Sequence, residues 1–199
     1  VSKEFWMVMH FGMTGNLKYF KDMEDEPEHD RFLINFENDC HLAYDCQRKF
    51  GKITIAKSVK MFIENKNLGS DALEITFKNF KKIMKKRKGT IKYTLMNQHI
   101  IAGIGNIYSD EIIYQTRIHP ETKVNKLHDE KIRDLFNNMK RILKTAIKNR
   151  ADPTQFPKHY LIPNRTEGTK CPDCNGEIKR LKVSGRSAYY CPECQKLQH

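Results

Sequence analysis

The pattern of apolar and polar positions divides the chain into a strand-rich front, a helical middle and a short cysteine-bearing end. Phe5, Met7 and Met9 alternate with Trp6, Val8 and His10 in a largely apolar run, the signature of a buried strand. Gly12 and Gly15 punctuate a turn, and residues 17–20 form a second short strand. The polar stretch 21–30 holds Pro27 and reads as a loop. Phe32, Ile34 and Phe36 alternate again, Asn38-Asp39 predicts a hairpin turn, and segments 41–45 and 52–56 complete a small antiparallel set.

From about residue 58 the apolar period lengthens to that of a helix. Val59, Phe62 and Ile63 predict a short helix that breaks at 68–71. Phe77, Phe80, Ile83 and Met84 predict a second, and Gly89-Thr90 separates it from a third over 91–98. Another runs over 106–115 and ends near His119-Pro120. The clearest helix spans 127–148, where Ile132, Leu135, Phe136, Met139, Ile142, Ala146 and Ile147 make one apolar stripe for core packing. Pro153, Pro157 and Pro163 mark 151–169 as a linker. Segregated strands and helices imply an α+β fold: a partial antiparallel β domain over 1–57, a helical domain over 58–165 and a terminal ribbon over 166–199.

Charge sharpens this picture. The chain of 199 residues carries a net charge of +12, which favours a polyanionic partner. Between Ile75 and Ser109 there is no acidic residue, while Lys78, Lys81, Lys82, Lys85, Lys86, Arg87, Lys88 and Lys92 fall in that window. A solvated helix normally mixes signs, so the run points to nucleic acid. No apolar run is long enough to span a bilayer and no secretory signal is visible, so the expected location is the cytoplasm, nucleoid or nucleus.

Two Cys-x-x-Cys pairs, Cys171/Cys174 and Cys191/Cys194, stand sixteen residues apart. Each pair converges two thiolates from one tight turn, and together they close a tetrahedral shell around one structural Zn2+. So short a ribbon draws its folding free energy from the metal. Lys182 and Arg186 lie toward its tip, a placement suited to a nucleic-acid groove and equally to a protein surface. The run Gln98 to Glu111 ends one helix, turns on Gly103 and Gly105, and opens another at Asn106, a residue favoured as a helix cap. By itself the glycine pair favours a plain helical hairpin, but the eight basic residues beside it, Lys88 and Lys92 among them, shift the reading toward a phosphate at the helix start.

Several motifs coincide in order along the chain. His10-Phe-Gly-Met13-Thr-Gly15, Glu28-His29-Asp30-Arg31, Arg48-Lys-Phe50-Gly51, the Gln98–Glu111 run with Gly103-Ile-Gly-Asn106, and Gly185-Arg186-Ser-Ala-Tyr-Tyr-Cys191-Pro-Glu-Cys194 resemble the formamidopyrimidine-DNA glycosylase / endonuclease VIII family. The resemblance implies a helix–two-turns–helix domain with a zinc ribbon, acting on damaged double-stranded DNA as a monomer. It implies removal of oxidised bases followed by cleavage at the abasic site. By the same resemblance His10, Asn106 and Arg186 hold phosphates around the lesion, and His29, Lys88 and Lys92 add DNA contacts. Met13, Arg48 and Phe50 fill the gap left by the flipped nucleotide, although sequence position alone makes Met13 and Phe50 core residues. Arg186 is also tied to the second elimination step.

Two departures stand out. The family's nucleophile is an N-terminal proline amine followed by a glutamate, whereas this sequence starts Val1-Ser2 and aligns there with an interior strand. The expectation is a sequence whose front has been removed, inactive by itself. Cys46 stands where the family carries an aspartate two residues before the loop arginine. The competing readings are a non-catalytic DNA-binding zinc-ribbon protein derived from the family, and an RNA- or ribosome-associated ribbon protein. The second leaves Arg48-Lys-Phe50 and the Gly103–Glu111 run without a role.

Overall fold

A computed structural model describes residues 4–197, so Val1 and Ser2 lie outside the described residues. The chain divides into two compact units after Lys66.

The first unit is built from short antiparallel strands. Strand β1 (Trp6–His10) pairs with β5 (Lys52–Ala56), with His10 opposite Lys52. Strand β4 (His41–Asp45) is the centre of a three-stranded sheet between β2 (Asn16–Phe20) and β3 (Asp30–Asn35). Asp39 takes the left-handed conformation (φ 59°) that the tight turn between β3 and β4 demands. Helix α1 (Val59–Asn65) closes the unit, capped by Ser58 Oγ, which accepts from the Met61 amide at 3.1 Å. Phe20, Ala43, Tyr44 and Cys46 are buried. The expectation of a buried first strand is corrected. Phe5, Trp6 and Met7 are exposed, because the run is apolar on both faces and β5 is its one paired neighbour among the described residues.

The second unit is helical, with a metal-type ribbon attached. A two-residue parallel pairing joins β6 (Ser70–Asp71) to β7 (Ile101–Ala102). Helices α2 (Phe77–Lys85) and α3 (Ile91–Met96) begin at Thr76 and Thr90, whose hydroxyls accept from the amides three residues on. Helix α4 (Asn106–Gln115) packs across α3 and α5 (Asp129–Lys148). The stripe on α5 buries Ile132, Leu135, Met139, Ile142 and Ala146 together with Leu143, whereas Ile147 is exposed at the edge of that face.

The segment read as a linker is a packed connection. Phe156, Tyr160 and Leu161 are buried, and Glu111 Oε2 of α4 accepts from the Ile162 amide at 2.8 Å. The ribbon strands β8 (Lys179–Val183) and β9 (Arg186–Tyr190) follow. The ribbon is fastened to the end of α4. Gln195 Nε2 donates to the Ile118 carbonyl at 2.7 Å, and His119 meets the Tyr190 ring edge-on at 4.7 Å.

Candidate nucleic-acid interface

In the first unit two turns approach each other closely. Gly12 has φ 63°, and a Cβ there would lie 2.8 Å from the Phe50 carbonyl carbon and oxygen, so only glycine fits. Thr14 Oγ1 accepts from the Arg48 amide at 3.3 Å. These contacts bring Met13, Arg48 and Phe50 to one edge of the unit. Met13 is 71% exposed and Phe50 60%, which overturns a core role for either. The Arg48 guanidinium lies 5.1 Å from the centre of the Phe50 ring, so a cation and an apolar wedge stand together in solvent.

Cys46 organises the base of the second turn. Its amide donates to the His29 carbonyl at 3.0 Å, and its carbonyl accepts from Arg31 Nε at 3.2 Å and the Lys49 amide at 3.3 Å. Burial opposes ionisation of its thiol. Hydrogen bonds from the Gly51 amide, the Tyr44 hydroxyl, the Lys49 amide and Thr14 outweigh that and lower its pKa. Exposed His10, at the end of β1, accepts the Gly12 amide at Nδ1, 3.2 Å away. The proton of the neutral ring therefore sits on Nε2, which can donate to an anion. His29 is half-buried, its Nδ1 lying 3.9 Å from the Glu28 carboxylate.

In the second unit the paired-glycine turn is pinned by one side chain. Gln98 Oε1 accepts the Gly103 amide at 2.9 Å, and its Nε2 donates to the carbonyls of Ile104 at 2.8 Å and Met96 at 3.0 Å. Gly103 alone of the two glycines has positive φ, at 94°; Gly105 is extended and is the residue that precedes the first turn of α4. Asn106 is thus the first residue of the helix rather than its cap. The amides of the first turn are left without intrahelical acceptors at the positive end of the helix dipole.

The side chain of Asn106 faces a buried ladder that the sequence did not reveal. Lys92 is 0% exposed. Its Nζ donates to Asn106 Oδ1 at 2.6 Å, the Asn106 carbonyl at 3.0 Å, Ser109 Oγ at 3.0 Å and Asp110 Oδ1 at 2.6 Å. Asp110 Oδ2 in turn accepts from Arg165 Nε at 2.9 Å and from a terminal guanidinium nitrogen at 2.7 Å. The Arg165 guanidinium then lies 4.5 Å from the ring centre of Tyr189 on β9. Burial pushes the Asp110 carboxyl up and the Lys92 amine down, opposed by their mutual attraction. Removing one member would strand a buried charge, at a cost of about 3–5 kcal/mol. The direct DNA contact expected of Lys92 is therefore corrected: four protein acceptors enclose its ammonium. The one signal in the sequence was Asp110-Glu111, the first acidic residues after the long basic window. Lys88 remains exposed on the turn after α2.

The ribbon tip is the turn Ser184-Gly185, both with positive φ (48° and 81°), and exposed Arg186 follows it. Behind the tip, the ligand atoms of Cys171, Cys174, Cys191 and Cys194 all lie within 4.8 Å of one another. The Sγ separations 171–194, 174–191 and 174–194 are 3.8, 3.5 and 3.3 Å. Disulfides need about 2.05 Å, whereas a tetrahedral ion with bonds of about 2.3 Å to thiolates spaces its sulfurs by about 3.8 Å, so the four residues fit one ion. Burial works against the Cys171 thiolate. The Tyr114 hydroxyl, 3.1 Å away, and the amides of Asp173 and Cys174 more than offset it and bring the thiol down to about 7.

Both units therefore carry exposed cations beside turns with free donors, the outfit of a protein that grips nucleic acid. Comparison with known proteins gives the class its family. Three family profiles match in order: the formamidopyrimidine-DNA glycosylase N-terminal domain over residues 1–53, its H2TH domain over 68–158, and the zinc finger found in FPG and IleRS over 168–197. The formamidopyrimidine-DNA glycosylase of Pelotomaculum thermopropionicum is 32% identical, covering 100% of this chain and 77% of its own length. That of Ligilactobacillus salivarius is 34% identical over 98% of this chain and 75% of the relative. The structure of MutM with DNA containing carbocyclic 8-oxo-G is similar at TM-score 0.84 and 30% identity, covering 98% of this chain and 76% of that one. A Lactococcus lactis Fpg complex with Fapy-dG DNA is similar at TM-score 0.85 and 30% identity, covering 96% of this chain and 75% of that one. The chain belongs to the formamidopyrimidine-DNA glycosylase family. Among the described residues no helix is long and apolar enough to cross a membrane.

Proposed function

We propose that this protein binds damaged duplex DNA as a monomer and serves base-excision repair of oxidised bases, with abasic-site cleavage as the second activity. The observation that carries this reading is the cluster of Met13, Arg48 and Phe50, three gap-filling side chains held in solvent by the glycine contact between their turns. Taking a base out of the stack costs a few kcal/mol, and an apolar wedge with a cation in the vacated space recovers part of it. His10, Asn106 and Arg186 donate to phosphates on either side of the lesion, and His29 and Lys88 add contacts to the backbone. Arg186, at the ribbon tip, also assists the second elimination. The four cysteines hold one structural Zn2+, which keeps the tip in shape and takes no part in bond breaking. The three parts 1–57, 58–165 and 166–199 are the units of this work, carried out in the cytoplasm, nucleoid or nucleus.

The chemistry needs an amine nucleophile that attacks the sugar carbon and forms a Schiff base. In the family's pattern that amine belongs to a proline followed by a glutamate. Borohydride trapping tests the reading. The complete gene product, incubated with duplex containing 8-oxoguanine, should form a covalent protein–DNA adduct. Absence of the adduct, with DNA binding intact, would favour the non-catalytic DNA-binding reading.

A further inference from the structure

The hydrogen bond from Lys92 to Asn106 has a directional consequence. A carboxamide has one end that accepts and one that donates, and a free side chain can turn either way. An ammonium only donates. With Lys92 Nζ 2.6 Å from Asn106 Oδ1, the oxygen end is committed inward. The Nδ2 end donates to no protein group among the described residues. Asn106 is half-buried at the start of α4, where the backbone amides of the first turn also lack intrahelical acceptors. Side-chain and main-chain donors are thus left for one external acceptor. Lys92 is in turn held by Asp110, which Arg165 grips through two nitrogens.

We propose that Lys92 is a positioning residue that presents Asn106 to DNA as a hydrogen-bond donor, with Asp110 and Arg165 locking Lys92 in place. The inference rests on the proposed DNA-binding role of Asn106. It explains why a lysine in a basic window is buried rather than displayed. A neutral donor–acceptor such as glutamine at 92 would permit both orientations of the carboxamide, and half of them would turn an acceptor toward a phosphate.

A mutant cycle read by fluorescence anisotropy tests it, using a duplex with one abasic-site analogue at fixed salt. The variants are Asn106→Ala, the charge-removing pair Lys92→Met/Asp110→Asn, and all three substitutions together, each also followed by thermal melting. Asn106→Ala should weaken binding about tenfold, the loss of one hydrogen bond to a charged group. The pair should weaken it several-fold, and the triple variant should bind no worse than Asn106→Ala alone, because Lys92 acts through Asn106. Losses that multiply in the triple variant, or a pair that binds like the wild type, would overturn the proposal. Unchanged binding by Asn106→Ala itself would instead overturn the DNA contact on which it rests. Asn106→Asp guards against a pair that fails to fold. Its carboxylate gives Lys92 a charged partner but presents no donor, so the melting temperature should hold while binding falls below that of Asn106→Ala. A lower melting temperature than wild type would contradict the Lys92–Asn106 contact.

Discussion

Two residues with opposite exposures carry the chemistry of the helix start: Lys92, wholly enclosed, and Asn106, open on one side. Arg186 differs from both, since it is exposed at a turn and free to meet a phosphate directly. Arg186→Ala should therefore weaken DNA binding and reduce the slope of log affinity against log salt by about one, measured over several salt concentrations. An unchanged slope would remove Arg186 from the interface. Glu111 makes a second prediction. Burial raises its carboxyl to about 7 from an ordinary 4.5, opposed by hydrogen bonds from Gln115 and the amides of Ile162 and Leu161, and by Arg141. Between those two pH values the folded protein holds a proton that the unfolded chain has released. Stability should thus fall as pH rises through that window and level off above it. Glu111→Gln should flatten the profile, as followed by denaturant titration at pH 5, 6 and 7. Parallel profiles for the two proteins would contradict the shift.

The turn and the ribbon are where single substitutions act on whole elements. Gly103 sits at φ 94°, so Gly103→Ala should cost about 1 kcal/mol or more and loosen the entry into α4. A variant as stable as the wild type in chemical denaturation would show that the turn is not under this constraint. Cys191→Ser removes one of four ligands and should abolish stoichiometric zinc, read by metal analysis, and expose Tyr114 and Ile178 beneath the ribbon. Retained zinc would refute the four-sulfur site. Much of this was legible in the sequence. The Cys-x-x-Cys spacing picked out the four cysteines that cluster, and helical period marked α4 at 106–115 and most of α5. Three features were not legible, each because it depends on tertiary partners. The first strand looked buried because its residues are apolar, but burial needs a covering layer. The prolines of 151–169 suggested a linker, while Tyr160 and Leu161 lock that segment onto α4 and α5. Lys92 looked like one more surface cation, since sequence does not disclose that Asp110, itself gripped by Arg165, meets it.

At the scale of the molecule, the proposed function has a chain of net charge +12 read damage by supplying what a flipped nucleotide leaves missing. Charge alone binds any duplex; under the proposed function the exposed Met13, Arg48 and Phe50 distinguish one with a gap. The most direct test is an equilibrium titration of the 199-residue protein with two duplexes of one sequence at matched salt, one bearing a single abasic-site analogue and one intact. The abasic duplex should bind clearly more tightly. Equal affinity for both would contradict it and leave only a basic protein attracted to a polyanion.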